Sequence, residues 1–270
     1  MSVERIHQPS ARDVDRAVAR HRPAIFTGLM EGQPAARWDL PGLRHRLGDR
    51  SVQVVSSGGP RIVWHPRHGL PRQSMRFQDF ADRLAVGAFD YLQDDVNSVP
   101  SLKADYRLPD CLHRPIVREK LWLGGAGLVT PLHYDAVETF HWVVRGAKRF
   151  LCYRPGLARY YPYPTDSDAP FISRVDPDDP RPELFPRFQG ARPVELTLLA
   201  GEVLYLPSFW WHQVGSREAT NLSINFVWFA SLPRRLRHLG QYLRARRHLA
   251  RARASARAAQ EAARAELARY

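Results

Sequence analysis

The second half of the sequence, from Leu121 onward, is a series of short apolar segments separated by Gly, Pro and Asp turns. We predict strands at 121–124, 138–145, 148–153, 194–199, 202–206, 212–216 and 221–229. No long helical pattern lies between these segments. Short strands at such spacing are typical of an antiparallel barrel or jelly roll. The sequence therefore predicts a mainly β fold for this half.

The first 120 residues mix helices and strands. Ser10 and Asp13 resemble a capping box and predict a helix that runs to about Arg20. The remaining predictions are helices at 40–47 and 77–84 and strands at 24–28, 51–55 and 89–93, with a loop at 57–72. A long insert rich in Pro and Asp follows at 155–193, and we expect it to cover one mouth of the barrel.

The basic charge of the chain is concentrated in its last segment. Residues 233–270 contain eleven Arg and two Glu, a net charge of +9, which leaves +4 of the total +13 for the other residues. We divide the chain into a main domain at 1–232, with its barrel at about 121–229, and a helical tail at 233–270. Leu236, Leu239 and Leu243 fall on one stripe, so the tail packs on the barrel or on a second copy of the chain. A nucleic-acid or acidic-partner arm is the alternative.

Composition also narrows the location and class of the protein. Two cysteines, Cys111 and Cys152, are too few for a disulfide framework, and the N-terminus lacks the apolar segment of a secretory signal. We therefore expect a reduced, cytoplasmic protein. We expect no membrane span, because the longest apolar candidate, LTLLAGEVLYL, is short and interrupted by Glu202.

Three residues have the pattern of a metal site. His133 and Asp135 are two positions apart, so on an extended strand both side chains leave the same face. His212 follows two tryptophans in GEVLYLPSFWWHQV, where it opens a strand that a jelly roll can return to His133. Two histidines and a carboxylate form the facial triad of non-haem Fe(II) oxygenases, which leaves positions open for a chelating co-substrate and O₂.

A rare lysine indicates the nature of the co-substrate. Lys148 is one of three lysines in the chain, and it lies on the strand that follows the His133 segment. An ammonium directed into the barrel is tolerated where it meets a carboxylate. Thr130 and Tyr91 can offer hydroxyl groups to the same carboxylate. A dicarboxylic 2-oxo acid fits, because its 2-oxo and C1 carboxylate oxygens chelate iron while its distal carboxylate pairs with Lys148.

The runs LVTPLHYDAVETFHWVVRGAKRF, RYYPYP, GEVLYLPSFWWHQV and NLSINF resemble the Jumonji C hydroxylases of the cupin-8 group, and among them most closely the asparaginyl hydroxylases. The likeness extends from about residue 23 to 229 and includes PAIFTG and the YLQ at 91–93. It implies a double-stranded β-helix (jelly roll, cupin) with N-terminal α/β additions and C-terminal helices that form a dimer. It also implies an Fe(II)- and 2-oxoglutarate-dependent dioxygenase that hydroxylates a C–H bond and releases succinate and CO₂.

The resemblance assigns roles to individual residues. It implies His133, Asp135 and His212 as iron ligands, and it implies Tyr91, Thr130 and Lys148 on the distal carboxylate of 2-oxoglutarate. It places Asn225 near the metal-binding end of that co-substrate. The sequence departs from the family at Thr139, which replaces an asparagine four residues after the aspartate ligand. Its hydroxyl can still donate a hydrogen bond.

The substrate stays open at this point. The leading hypothesis is hydroxylation of a protein or peptide side chain, and the alternative substrate is a small molecule or natural product. N-demethylation, hydroxylation of an RNA base and a non-catalytic binding module are the other possible functions. Gln93, Trp142, Arg217 and the 155–193 insert are the candidates for substrate contact. The expected apolar wall around the metal consists of Trp122, Leu132, Trp142 and Val214.

Overall fold

A computed structural model describes residues 2–65 and 69–267. The strands, in chain order, are β1 (Glu4–His7), β2 (Ala24–Thr27), β3 (Ser51–Ser56), β4 (Arg72–Arg76), β5 (Asp90–Asp95), β6 (Arg118–Gly124), β7 (Val129–Tyr134), β8 (Val137–Arg145), β9 (Ala147–Tyr153), β10 (Val194–Leu199), β11 (Val203–Leu206), β12 (Trp211–Ser216) and β13 (Asn221–Phe229). The helices are α1 (Ala11–Arg20), α2 (Leu40–Leu47), α3 (Phe77–Ala85), α4 (Pro100–Lys103), α5 (Leu232–Arg237) and α6 (Leu239–Leu267). Short 3-10 helices lie at Pro34–Arg37, Val96–Ser98, Asp110–Leu112 and Pro186–Phe188.

The eight strands from β6 to β13 form two facing sheets. One contains β11, β8, β13 and β6 in that order, and the other contains β10, β9, β12 and β7. All pairs within these two groups are antiparallel, and successive strands alternate between the sheets except β9 and β10, which are neighbours in the smaller sheet. This is the topology of a jelly roll, so the predicted fold class is confirmed.

The N-terminal segment extends the larger sheet on both sides. Strands β1 and β2 join the β11 edge, while β5, β3 and β4 join the β6 edge, which gives nine strands in all. Helix α1 begins with the predicted capping box: Ser10 Oγ accepts from the Asp13 amide (3.3 Å) and Asp13 Oδ2 accepts from the Ser10 amide (3.0 Å). The helices cover the outer face of the sheet, where they share the largest apolar core with Phe140, Trp142 and Phe226.

The long insert at 155–193 does not cover the barrel as we expected. It packs on the outer face of the smaller sheet, where Tyr160, Val175 and Phe188 share a core with Leu132 and Trp211. The insert also pairs with the free edge of β7, because the Ser173 amide donates to Leu132 (2.8 Å) and the Tyr134 amide donates to Phe171 (3.1 Å). It therefore supports the smaller sheet from outside.

The C-terminal helices are anchored to the barrel by polar contacts. The guanidinium of Arg234 donates to Glu138 (2.7 Å), a fully buried carboxylate that also accepts from Tyr205 (2.6 Å) and Ser208 (2.9 Å). Gln241 of α6 donates to the carbonyl of Phe209 (2.9 Å). The tail is helical as predicted as far as Leu267, and its last three residues lie outside the described part. None of the described helices is long and apolar enough to cross a membrane.

Candidate active site

Two histidines and an aspartate come together on the inner face of the smaller sheet. His133 on β7 and His212 on β12 are opposite each other in the register, and their ring centroids are 4.0 Å apart. Asp135 follows β7, in a turn and not on the strand itself, and its backbone carbonyl accepts from the Phe209 amide (2.7 Å). Each of the three offers one ligand atom within 4.8 Å of the other two. The structure thus brings the three predicted ligands together.

Backbone carbonyls orient both imidazoles. Nδ1 of His133 lies 2.7 Å from the carbonyl of Pro131, and Nδ1 of His212 lies 3.1 Å from that of Trp210. Because a carbonyl can only accept, each Nδ1 carries the proton and each Nε2 keeps a lone pair for a metal. Burial, aided by His133, lowers the pKa of His212 to about 3, although Asp135 opposes this shift. His212 is therefore neutral, as a metal ligand must be.

An irregularity in the strand pairing sets the position of Thr130. The register between β12 and β7 shifts between His212 and Val214, so that Val214 lies opposite Thr130 while His212 lies opposite His133. Without this bulge, residues three apart on β7 would face opposite sides of the sheet. Thr130 and His133 therefore both face the barrel interior.

Lys148 lies deep in the barrel without an acidic partner. Its ammonium donates to Ser223 Oγ (2.8 Å) and to the Tyr91 hydroxyl (3.2 Å). The side chain is fully buried, and burial lowers its pKa to about 7, with no carboxylate among the described residues to oppose the shift. An ammonium in this state is stabilised by an anion that enters the barrel.

The turn before Lys148 explains how the lysine reaches this position. Gly146 alone connects β8 to β9, and it adopts φ +84°. A Cβ atom there would lie 2.5 Å from the carbonyl oxygen of Thr220. Only glycine fits this close turn, which directs the start of β9 into the barrel.

Three polar atoms on the inner face of the larger sheet are buried without a partner among the described residues: Trp122 Nε1, His141 Nε2 and Asn225 Oδ1. Asn225 lies opposite His141 on one side and Lys120 on the other. Trp122 lies opposite Ser223 and packs beside Tyr91, with ring centroids 5.4 Å apart. Buried polar groups are rarely left unsatisfied, so these atoms indicate a polar ligand.

Two further predicted residues face the same interior. Thr139 is buried on β8 and lies opposite Val227 and Leu206. Gln93 lies opposite Trp122 on β5, and its side-chain oxygen accepts from Arg72 (2.9 Å). Val214 and Trp122 line this interior, as we expected of the apolar wall.

Two other predictions, Trp142 and Leu132, are wrong, and a third, Arg217, stays a prediction. Trp142 is fully buried on the outer face of β8, in edge contact with Tyr106, so it can contact neither metal nor substrate. Leu132 lies in the core between the smaller sheet and the insert. Arg217 is exposed just beyond β12, five residues and about 16 Å of strand from His212. It lies at the Lys148 end of the barrel, because Ser216 is paired with Lys148.

Sequence reasoning missed three residues of this interior. Ser223 binds the lysine, His141 carries an unsatisfied nitrogen, and Lys120 lies over the Trp122 ring with its ammonium 5.5 Å from the centroid. Ser223 and Asn225 are two positions apart on one strand, so the alternation of inner and outer residues was a signal for Ser223.

The residues present fit the metal and co-substrate that the resemblance implies. Two neutral imidazoles and one carboxylate are ligands that suit Fe(II). The unpaired ammonium of Lys148 and the unsatisfied nitrogen atoms of Trp122 and His141 suit an anionic chelator such as 2-oxoglutarate.

Comparisons with known proteins agree with this chemistry. The cupin-like domain family matches residues 9–235. The chain is 29% identical to the human bifunctional peptidase and (3S)-lysyl hydroxylase JMJD7 over 251 residues, which cover 78% of each chain. It is 31% identical to the Danio rerio lysine-specific demethylase 8 over 243 residues, which cover 84% of this chain and 58% of that protein. It is 26% identical to the Gallus gallus tRNA wybutosine-synthesizing protein 5 over 232 residues, which cover 77% and 71% of the two chains.

The chain thus spans little more than half of the demethylase-named relative. The narrower likeness to asparaginyl hydroxylases stays a prediction. Taken with the His–Asp–His geometry, these matches show that the chain belongs to the cupin-like Jumonji C family of Fe(II)- and 2-oxoglutarate-dependent oxygenases.

Proposed function

We propose that this oxygenase hydroxylates a C–H bond of a side chain in a protein or peptide. One observation carries the co-substrate half of the proposal: a buried ammonium without an acidic partner shares the barrel interior with a His–Asp–His cluster. The substrate half is supported by the relative that is named as a lysyl hydroxylase.

The residues of the site have separate roles in binding the metal and the co-substrate. His133, Asp135 and His212 would hold Fe(II), and Lys148, with Ser223 beside it, would hold the distal carboxylate of 2-oxoglutarate. When bound, Fe(II), 2-oxoglutarate and O₂ together supply oxidative decarboxylation to succinate and CO₂ and insertion of one oxygen atom into a C–H bond. The protein supplies position and exclusion of water.

The protein also sets the protonation states that this chemistry needs. The carbonyls of Pro131 and Trp210 keep the protons of His133 and His212 on Nδ1, away from the metal. Entry of a dianionic co-substrate raises the pKa of Lys148 again, because the new carboxylate favours the charged ammonium. Binding therefore brings a proton onto the lysine at neutral pH.

The charges around Lys120 favour a second candidate, an RNA base. Arg118 and Arg72 lie close enough to Lys120 to lower its pKa, after burial as the largest cause, while Asp135 and Asp95 raise it. Such a basic mouth can attract phosphate, and one relative is named as a tRNA-modifying protein. Demethylation and small-molecule hydroxylation use the same chemistry and are separated below.

The test is a turnover experiment on the Fe(II)-loaded protein. The enzyme receives 2-oxoglutarate and then O₂ in the presence of a peptide library, of tRNA or of a panel of small molecules, and succinate and product masses are measured. A peptide that gains one oxygen supports the proposal, and a nucleoside that gains one supports the RNA candidate. Formaldehyde release from N-methyl peptides indicates demethylation. Succinate formation no higher than that of His133→Ala with every substrate would contradict all of these and favour a binding module.

We also propose a homodimer formed by the C-terminal helices. Leu236 of α5 and Leu239 and Leu243 of α6 are 60%, 45% and 42% exposed in the single chain, which leaves three large apolar side chains uncovered. A second copy would cover them. The cytoplasmic location is part of the same proposal, and both cysteines are free thiols in this structure.

A further inference from the structure

The inner face of β8 carries a histidine to which the roles above assign nothing. His141 is 6% exposed and lies between Asn225 of β13 and Leu204 of β11 in the register. The Phe150 ring packs against it edge-on, with centroids 5.2 Å apart and planes at 84°. The imidazole is therefore held in one orientation by strands on both sides and by an aromatic ring from the opposite sheet.

His141 lies between the two ends of the predicted co-substrate site. Burial lowers the pKa of His141 well below its usual 6.5, and Lys148 and His212 lower it further because both are close to the ring. Lys148 would hold the distal carboxylate, and His212 would hold the metal. Between the levels of Lys148 and His212 on β9 and β12 lies Phe150, and the His141 ring packs against it.

The ring and its neighbour have hydrogen-bonding capacity that the protein leaves unused. His141 Nε2 and Asn225 Oδ1 are both buried and lack a partner among the described residues. The Asn225 side chain lies close enough to the imidazole to raise its pKa as a hydrogen-bond acceptor, but His141 Nε2 and Asn225 Oδ1 do not reach hydrogen-bond geometry. A buried polar atom left in this state costs about 1–3 kcal/mol, which a ligand with complementary atoms would recover.

We propose that His141 binds 2-oxoglutarate directly, by donating a hydrogen bond from Nε2 to the C1 carboxylate beside Asn225. The inference rests on the co-substrate of the family and not on the nature of the substrate. It also offers a replacement for the family asparagine, whose position is occupied by Thr139 in this chain. Thr139 faces the same interior two residues earlier, but its strand neighbours there are the apolar Val227 and Leu206. His141 supplies a longer donor on the same strand.

The test measures binding without turnover. Isothermal titration calorimetry of the Mn(II)-loaded protein compares 2-oxoglutarate with 4-oxobutanoate, which keeps the oxo group and the distal carboxylate but lacks the C1 carboxylate. We expect His141→Phe to weaken 2-oxoglutarate binding about 10- to 100-fold, since a hydrogen bond to a charged group is lost. Binding of 4-oxobutanoate should stay within about twofold of wild type. His141→Gln, whose amide nitrogen reaches the position of Nε2, should recover most of the 2-oxoglutarate affinity.

Two control variants make the result specific. Lys148→Met should weaken both ligands, because both carry the distal carboxylate, and Thr197→Val, an exposed substitution on β10, should change neither. Two results would overturn the role of His141 while leaving the co-substrate site intact. One is that His141→Phe and His141→Gln weaken 2-oxoglutarate and 4-oxobutanoate equally. The other is that neither variant changes the binding of either ligand. Failure of the wild-type protein to bind 2-oxoglutarate would overturn the co-substrate assignment itself. Thermal denaturation of each variant identifies any that do not fold. If His141→Phe does not fold, the binding measured with His141→Gln tests the role of His141.

Discussion

Replacement of Lys148 by methionine should stabilise the protein when no co-substrate is bound. Burial lowers the pKa of the ammonium from 10.5 to about 7. At pH 7 the lysine is therefore fully protonated in the unfolded chain and about half protonated in the folded chain. This difference lowers the free energy of unfolding by about 4 kcal/mol. Removal of the ammonium also removes its hydrogen bonds to Ser223 and Tyr91, a loss of about 2 kcal/mol. The net expectation is a gain of about 2 kcal/mol at pH 7.

The pH dependence gives a sharper form of the same prediction. Because the folded-state pKa is depressed, the unfolded state binds more protons between pH 7 and 10.5, and stability rises with pH through that window. Wild type should therefore approach the stability of Lys148→Met as the pH rises from 7 to 9. Guanidinium denaturation of the two proteins, compared at each pH, isolates the lysine from other titrating groups.

Co-substrate should reverse the order of the two proteins. With Mn(II) and 2-oxoglutarate at 100 times its dissociation constant, wild type should gain about 2.7 kcal/mol, and Lys148→Met should gain far less. A variant that is less stable than wild type without ligand, with a difference that does not change with pH, would refute the reasoning about the unpaired ammonium. Lys103→Met is the matched control, because the Lys103 side chain is 39% exposed and pairs with the carboxylate of Glu119.

Three further predictions concern other parts of the chain. Arg234→Met leaves the buried carboxylate of Glu138 without its ion pair and should cost about 3–5 kcal/mol in denaturant unfolding, whereas the matched exposed substitution Arg237→Met should cost little. A Leu236→Glu and Leu239→Glu double variant should shift the mass measured by light scattering from dimer to monomer, and a monomeric wild type would contradict the dimer. Burial lowers the pKa of His21 to about 4, so the unfolded state gains a proton before the folded state does as the pH falls. The free energy of unfolding of wild type should therefore fall by about 2 kcal/mol between pH 7 and 5. His21→Gln should lose less, and equal losses in both proteins would rule out His21 as the cause.

Much of the fold could be predicted because local chemistry determines it. The capping box at Ser10 and the strands β10 and β13 agree with the structure to the residue. The strands that were missed are β1, β4 and β7. The first two lie at the edges of the larger sheet and are mostly polar and exposed, so no apolar alternation marks them. Strand β7 contains Pro131, which argues against a strand, but β7 is the edge of its sheet, where proline is tolerated.

The site was partly predictable for the same reason. His133, Asp135, His212 and Lys148 have side chains whose chemistry is unusual enough to identify from type and spacing. The position of His141 on the inner face was not predictable, and neither was the position of Trp142 on the outer face. These neighbours point to opposite faces of β8, and choosing between them requires knowledge of which face is inside. Both faces of the larger sheet are covered, one by the second sheet and the other by the N-terminal helices.

The sequence by itself determined the positions of most strands along the chain, the metal-binding residue types and the rare lysine. Only the tertiary structure decided which residues face the barrel, because alternation of apolar and polar residues marks the inner face only when the other face meets water. Here the N-terminal helices cover one outer face and the insert covers the other, so Trp142 and Leu132 look like site residues in sequence but lie in separate cores. The unsatisfied nitrogen of His141 exists only because folding brings β8, β9 and β13 around one interior.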